Sequence, residues 1–235
     1  MKKTLLTIAA IGGVILLIVI VLLPRGRCKS TSKEEQMVTI KLPTPQHDSK
    51  VSVESALLKR RSIRNFKDEP LTLSQVSQLL WAAQGETNPR GFRTAPSAGA
   101  TYPLETYIVV GNVQGLSVGI YKYRPHGHEL IRTVPGDKRK NLSRAALGQS
   151  WVSAAPAVMV FSAVYGRTTG RYGDRGIMYI HMEAGHAAQN VSLQAISLGL
   201  GTVMVGAFHD RNVKSVLSLG ADERPLYLVP IGKPL

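Results

Sequence analysis

The longest regular pattern in the chain runs from Asp174 to Leu198. Ile177, Ile180, Ala184, Ala187, Ala188, Val191, Leu193, Ala195 and Ile196 recur there at helical spacing and cover much of the circumference. A helix that is apolar on several sides is a buried helix. A domain of fewer than 200 residues has little room to enclose one completely, so this pattern predicts a subunit interface. Gly199-Leu200-Gly201 closes it.

Around this helix the chain alternates without a regular βαβ rhythm. Ser52 to Lys59 predicts a short helix, and Thr72 is a natural N-cap for a second one through Gln84. Gly85 to Gly99 reads as a long loop and Thr106 to Gly111 as a strand. Residues 119–123 and 129–133 form a hairpin around Pro125-His126-Gly127, and Lys138 to Leu147 a helix. Pro156 to Val164 is continuously apolar, as in a strand covered on both faces. Thr202 to Val205 and Leu226 to Ile231 complete the strands. The mixture predicts an α+β domain.

Two segments precede that domain. Thr4 to Leu23 carries no charge, and twenty residues at about 1.5 Å each reach across a bilayer core. Residues 1–30 therefore predict an N-terminal transmembrane helix. A cleaved signal peptide fits less well, and Arg25-Gly26-Arg27 before Cys28 disfavours lipid attachment. Localisation is expected at the membrane, with the side undetermined because both flanks are basic. Residues 31–51 read as a Pro-punctuated linker and 52–235 as one domain.

The net charge is +14, and beyond residue 30 it is +9, from 24 basic and 15 acidic residues. The basic residues are dispersed, with no zinc-finger spacing or aromatic RNA-binding motif, so no nucleic-acid partner is expected. Membrane surface and small anionic ligands suit this charge better. A single Cys excludes an internal disulfide and a Cys-rich metal site. His181 and His186 lie about 140° apart on a helix, so no metal site is expected.

The chemistry concentrates in two stretches. Arg60-Arg61-Ser62-Ile63-Arg64 places three guanidiniums and a hydroxyl within five positions. Arg grips phosphate through paired hydrogen bonds, although a solvated basic helix end is the simpler alternative. Pro96-Ser97-Ala98-Gly99 is a small-residue loop that lets a flat ligand approach the backbone. Together they suggest a site for a phosphorylated, planar cofactor.

These stretches, with Tyr102-Pro103-Leu104-Glu105, Gly119-Ile120-Tyr121-Lys122-Tyr123, Glu183-Ala184-Gly185-His186, Gln189-Asn190, Gly206-Ala207-Phe208 and Pro230-Ile231-Gly232-Lys233-Pro234, occur in an order that resembles the nitroreductase-like FMN flavoproteins. Within that superfamily the chain is most similar to the SagB-type, azoline-forming dehydrogenases. The resemblance covers roughly residues 52–235. It implies a central, mostly antiparallel sheet flanked by helices, and a homodimer with two FMN sites at the interface. It implies that Arg60, Arg61, Ser62, Arg64 and Lys233 serve the phosphate and ribityl end. Pro96, Ser97, Ala98 and Gly99 would lie against the isoalloxazine of the other protomer's FMN. Gln149 and Asn190 would bond its polar edge, Gly206 would present a backbone N–H toward N5, and Val205 would be a further cofactor-binding residue. Tyr172 and Gly206 are the expected catalytic positions.

The implied activity is ping-pong hydride transfer, with NAD(P)H as the candidate donor and a small molecule as acceptor. The alternative is a dehydrogenase or oxidase that passes electrons from a peptide or small molecule to oxygen or a quinone. Azoline-forming members carry a Lys-Tyr pair, whereas this chain has Arg171-Tyr172. Arg cannot serve as a general base near neutral pH.

Overall fold

The computed structural model describes residues 39–235. The short strand β1 (Thr39–Lys41) comes first, followed by α1 (Val53–Lys59), β2 (Leu71–Thr72) and α2 (Leu73–Gln84). Then come β3 (Leu104–Val110), β4 (Val113–Gln114), β5 (Gly119–Arg124), β6 (Glu129–Pro135), α3 (Arg139–Ala145) and α4 (Ser150–Ala154). The C-terminal part holds β7 (Ala157–Val164), α5 (Gly166–Tyr172), α6 (Arg175–Ser197), β8 (Gly201–Thr202), α7 (Asp210–Leu217) and β9 (Glu223–Gly232).

Seven strands form one sheet in the order β1-β6-β5-β3-β7-β9-β8, and every pairing in it is antiparallel. β2 and β4 make a separate parallel pair. β7 sits between β3 and β9, and its residues Ala157–Ala163 are all buried. Their side chains alternate between two cores, as the two-residue period of a strand requires. Ala157, Met159, Phe161 and Ala163 join the core that includes α2 and α6, while Val158 and Val160 join the core of α3, α4 and α7. The continuous apolar run thus marks a strand covered on both faces, as the sequence predicts.

Local chemistry sets the helix ends. Thr72 Oγ1 accepts from the Gln75 N–H at 3.1 Å while Gln75 Oε1 accepts from the Thr72 N–H at 2.9 Å, a capping box. Ser52 caps α1 by accepting from the Ser55 N–H at 3.2 Å. α6 buries Ile180, Ala184, Ala187, Ala188, Val191 and Ala195, but leaves Ile177, Met178 and Met182 more than 40% exposed. Its apolar circumference is therefore covered on one side only.

One expectation is corrected. Among the described residues no helix is long and apolar enough to cross a membrane. The transmembrane helix in the expected fold, and the membrane localisation built on it, are withdrawn; residues 4–23 lie outside the described residues. The fold is the α+β sheet with flanking helices. Within the stretch read as a linker, Thr39–Lys41 pairs with Glu129–Ile131 and adds the edge strand.

Candidate functional site

The expected site residues fall into two groups on different parts of the chain. The first lies along the edge made by β8 and β9. After α1 the backbone leaves the helix at Arg60 (ψ 126°) and runs extended beside Thr202. The Ile63 N–H donates to Thr202 O at 2.9 Å, Phe66 bridges to Pro234, and the Lys67 N–H donates to Lys233 O at 2.9 Å. Gly201 permits this approach, because a Cβ there would sit 2.7 Å from Ile63 Cβ.

This placement sorts the cations. Arg61 turns back and donates from Nη1 to the carbonyls of Leu58 and Arg60 at 2.9 and 2.8 Å, at the negative end of α1. Lys233 pairs with Glu69 at 2.6 Å and holds that carboxyl below its usual range. Arg60 and Arg64 make no ion pair among the described residues. Arg64 is exposed, with its guanidinium 5.4 Å from the centre of the Trp151 ring. The Trp151 ring is what positions Arg64.

Val205 is buried and exchanges two hydrogen bonds with Leu228, at 2.9 and 3.0 Å. Gly206 follows at once and is exposed, and no described protein acceptor receives its N–H. Gln149 gives both Nε2 donors to protein carbonyls, Ala146 O at 2.9 Å and Ala207 O at 2.8 Å. It holds the Gly206-Ala207 corner, and only its Oε1 is left for a ligand.

The second group surrounds the loop Pro96–Gly99. Gly99 has φ +59° and touches the helix pair behind it; a Cβ there would sit 2.5 Å from the Tyr172 hydroxyl. Arg171 Nη1 donates to Gly99 O at 3.3 Å. Ser97 Oγ accepts from the Tyr102 N–H at 2.9 Å. Asn190 Nδ2 donates to Thr94 O at 3.3 Å, so it anchors the loop from α6. A cavity of about 260 Å³ opens between the loop and α6, lined by Pro96, Ser97, Ala98, Tyr179, Met182, Glu183 and His186. Burial pushes the Glu183 carboxyl up to about 7, against the opposing pull of Ser97 and Arg93. No expected residue of one group shares a hydrogen bond with an expected residue of the other.

The nitroreductase family model matches residues 57–233. The chain belongs to the nitroreductase family. It is a flavin-dependent oxidoreductase with that family. Over 185 residues it is 49% identical to a Methanocaldococcus jannaschii protein assigned as a nitroreductase, covering 79% of this chain and 92% of that one. It is 26% identical to an FMN reductase (NAD(P)H) of Bacillus subtilis, covering 75% of this chain but 61% of that longer protein. A crystal structure assigned as a nitroreductase from Ralstonia eutropha superposes with a TM-score of 0.75 at 33% identity, over 84% of this chain and 90% of that one.

Proposed function

We propose that the chain is an FMN-dependent oxidoreductase that takes hydride from NAD(P)H and delivers it to a small acceptor in a ping-pong cycle. The carrying observation is the exposed N–H of Gly206, unengaged among the described residues and fixed by the Val205–Leu228 pairing on the same edge as Arg60 and Arg64, whose cations pair with no described carboxylate. Those residues fit FMN: two free guanidiniums suit a phosphate dianion, and a fixed N–H suits the ring nitrogen N5. FMN supplies reversible two-electron hydride chemistry when bound. Arg60, Ser62 and Arg64 bind its phosphate and ribityl end, while Gly206 orients the ring. Tyr172, held against Gly99, carries a proton at the opposite wall.

The site works as a homodimer in this reading. The Pro96–Gly99 loop of one protomer covers the ring held by its partner and excludes water from it. Two exposed apolar surfaces suit that contact: Ile177, Met178 and Met182 on α6, and Val53, Leu57 and Leu58 on α1.

The SagB-like reading, oxidation of a peptide, is less well supported. Arg171 takes the place of the lysine in the catalytic pair and is anchored to the Gly99 carbonyl. It cannot accept a proton near neutral pH.

The test is the visible absorption of the purified full chain before and after anaerobic NADPH. Flavin bands that bleach agree with the proposal. Bands that persist with NADPH and NADH, but bleach with another reductant, overturn the choice of donor. A folded chain that takes up no FMN overturns the cofactor assignment.

A further inference from the structure

We propose that Glu183 is a positioning residue that takes up a fraction of a proton from solvent as FMN binds, coupling the Pro96–Gly99 loop to the protonation state of the site. The inference rests on the FMN reading above and deepens it.

Glu183 lies on α6 beneath the loop, with only 2% of its surface exposed. Its Oε1 is buried and finds no partner among the described residues. The nearest compensating cation does not pair with it. Arg93 instead donates from Nη1 to Gln84 Oε1 at 3.0 Å and lies over the Tyr102 ring at 4.4 Å. No ion pair joins Arg93 to Glu183. A buried carboxylate without a close counter-charge is costly, and the ordinary remedy is to hold a proton.

The other charged and titratable groups around the pair do not supply that counter-charge. Arg93 also faces Glu86, Tyr102 and Glu105. From α6 itself, Tyr179 and His186 line the same cavity. Burial leaves the Glu183 carboxyl at about 7, so near neutrality a proton is held by only part of the population. The remaining hydration of Glu183 enters through the cavity between the loop and α6. A flat ring held against Pro96–Ala98, as the proposed function has it, would close that side. Further desolvation favours the neutral acid. Binding therefore draws a proton onto Glu183.

Isothermal titration of FMN into the flavin-free full chain tests this, in two buffers of different ionisation heat. The measurement is repeated on Glu183→Gln, a neutral isostere that leaves the phosphate's own titration in place. At pH 7.5 the wild type should take up a larger fraction of a proton than the variant. Above about pH 7 its affinity should fall more steeply with pH, by up to about tenfold per unit from one linked proton. Equal uptake and equal pH slopes in the two proteins overturn the inference while leaving the FMN reading intact. If the wild type binds no FMN at all, that reading itself fails. Infrared difference spectra of the wild type alone make a second test should the variant misfold. A protonated-carboxyl C=O stretch should grow when FMN binds, and no growth overturns the inference.

Discussion

Arg64 stacks on Trp151 with its guanidinium 5.4 Å from the ring centre, and no described carboxylate stands within ion-pair distance of it. A cation presented in this way is fixed in direction but still free to bind an anion. Arg64→Ala should therefore weaken FMN binding by about 1.5–3 kcal/mol, the range of a charged hydrogen bond. That corresponds to about a 10- to 150-fold rise in Kd by fluorescence titration. Arg61→Ala should change it far less, because the Arg61 guanidinium is already given to the end of α1.

Gly201 is the contact point between the phosphate segment and the sheet. Gly201→Ala forces a Cβ to within 2.7 Å of Ile63 Cβ. The expected cost is about 1–3 kcal/mol of overpacking strain. The Tm should fall, and FMN affinity should fall with it, because Ser62 and Arg64 flank the displaced residue.

His128 couples the hairpin tip to the N-terminal edge. Its Nε2 meets Ser77 Oγ at 2.7 Å, and its Nδ1 meets the Tyr123 hydroxyl at 2.8 Å. Burial pushes the imidazole below its usual range; the Pro43 carbonyl opposes this, and Lys41 adds to it. A depressed histidine binds fewer protons in the folded state than in the unfolded one. Its contribution is therefore complete above about pH 6.5 and is lost as pH falls from there toward the folded value. Urea midpoints between pH 7.5 and 5 should drop more for the wild type than for His128→Gln.

Glu223 is buried at the start of β9 and accepts from the Tyr107 hydroxyl at 2.9 Å and from Ser162 Oγ at 2.9 Å. Tyr107→Phe removes one of these donors from a buried carboxylate. A loss of about 1–3 kcal/mol in chemical denaturation is expected, with flavin affinity unchanged. The Glu223 network contains none of the expected site residues.

Most of the sheet could be read from residue patterns because its strands are long and apolar, with turn residues between them. The helices α1, α2 and α6 declared themselves through a cap or a period. Others had no such signal. α5 begins Gly-Arg-Thr-Thr-Gly, a poor helix former, and packing against α6 overrides that propensity. β1 is three residues in a polar stretch and exists because β6 offers an open edge. β8 is only two residues long, so Thr202 to Val205 is not the continuous strand the pattern predicted; Val205 returns as an isolated bridge to Leu228. At the site, composition marked the Arg cluster but could not sort it, because which guanidinium stays free depends on where α1 ends. Glu183 stood out only as part of a family motif, since its burial depends on a loop some 85 residues earlier in the chain.

The separation of the site into two groups on one chain has a consequence for genetics. In a dimer assembled as proposed, a chain broken at Arg64 keeps a sound loop, and a chain broken at Gly99 keeps a sound phosphate cradle. Expressed together, two such inactive alleles would form mixed dimers with one whole site and one doubly damaged site. The cell would recover part of an activity that neither allele encodes alone.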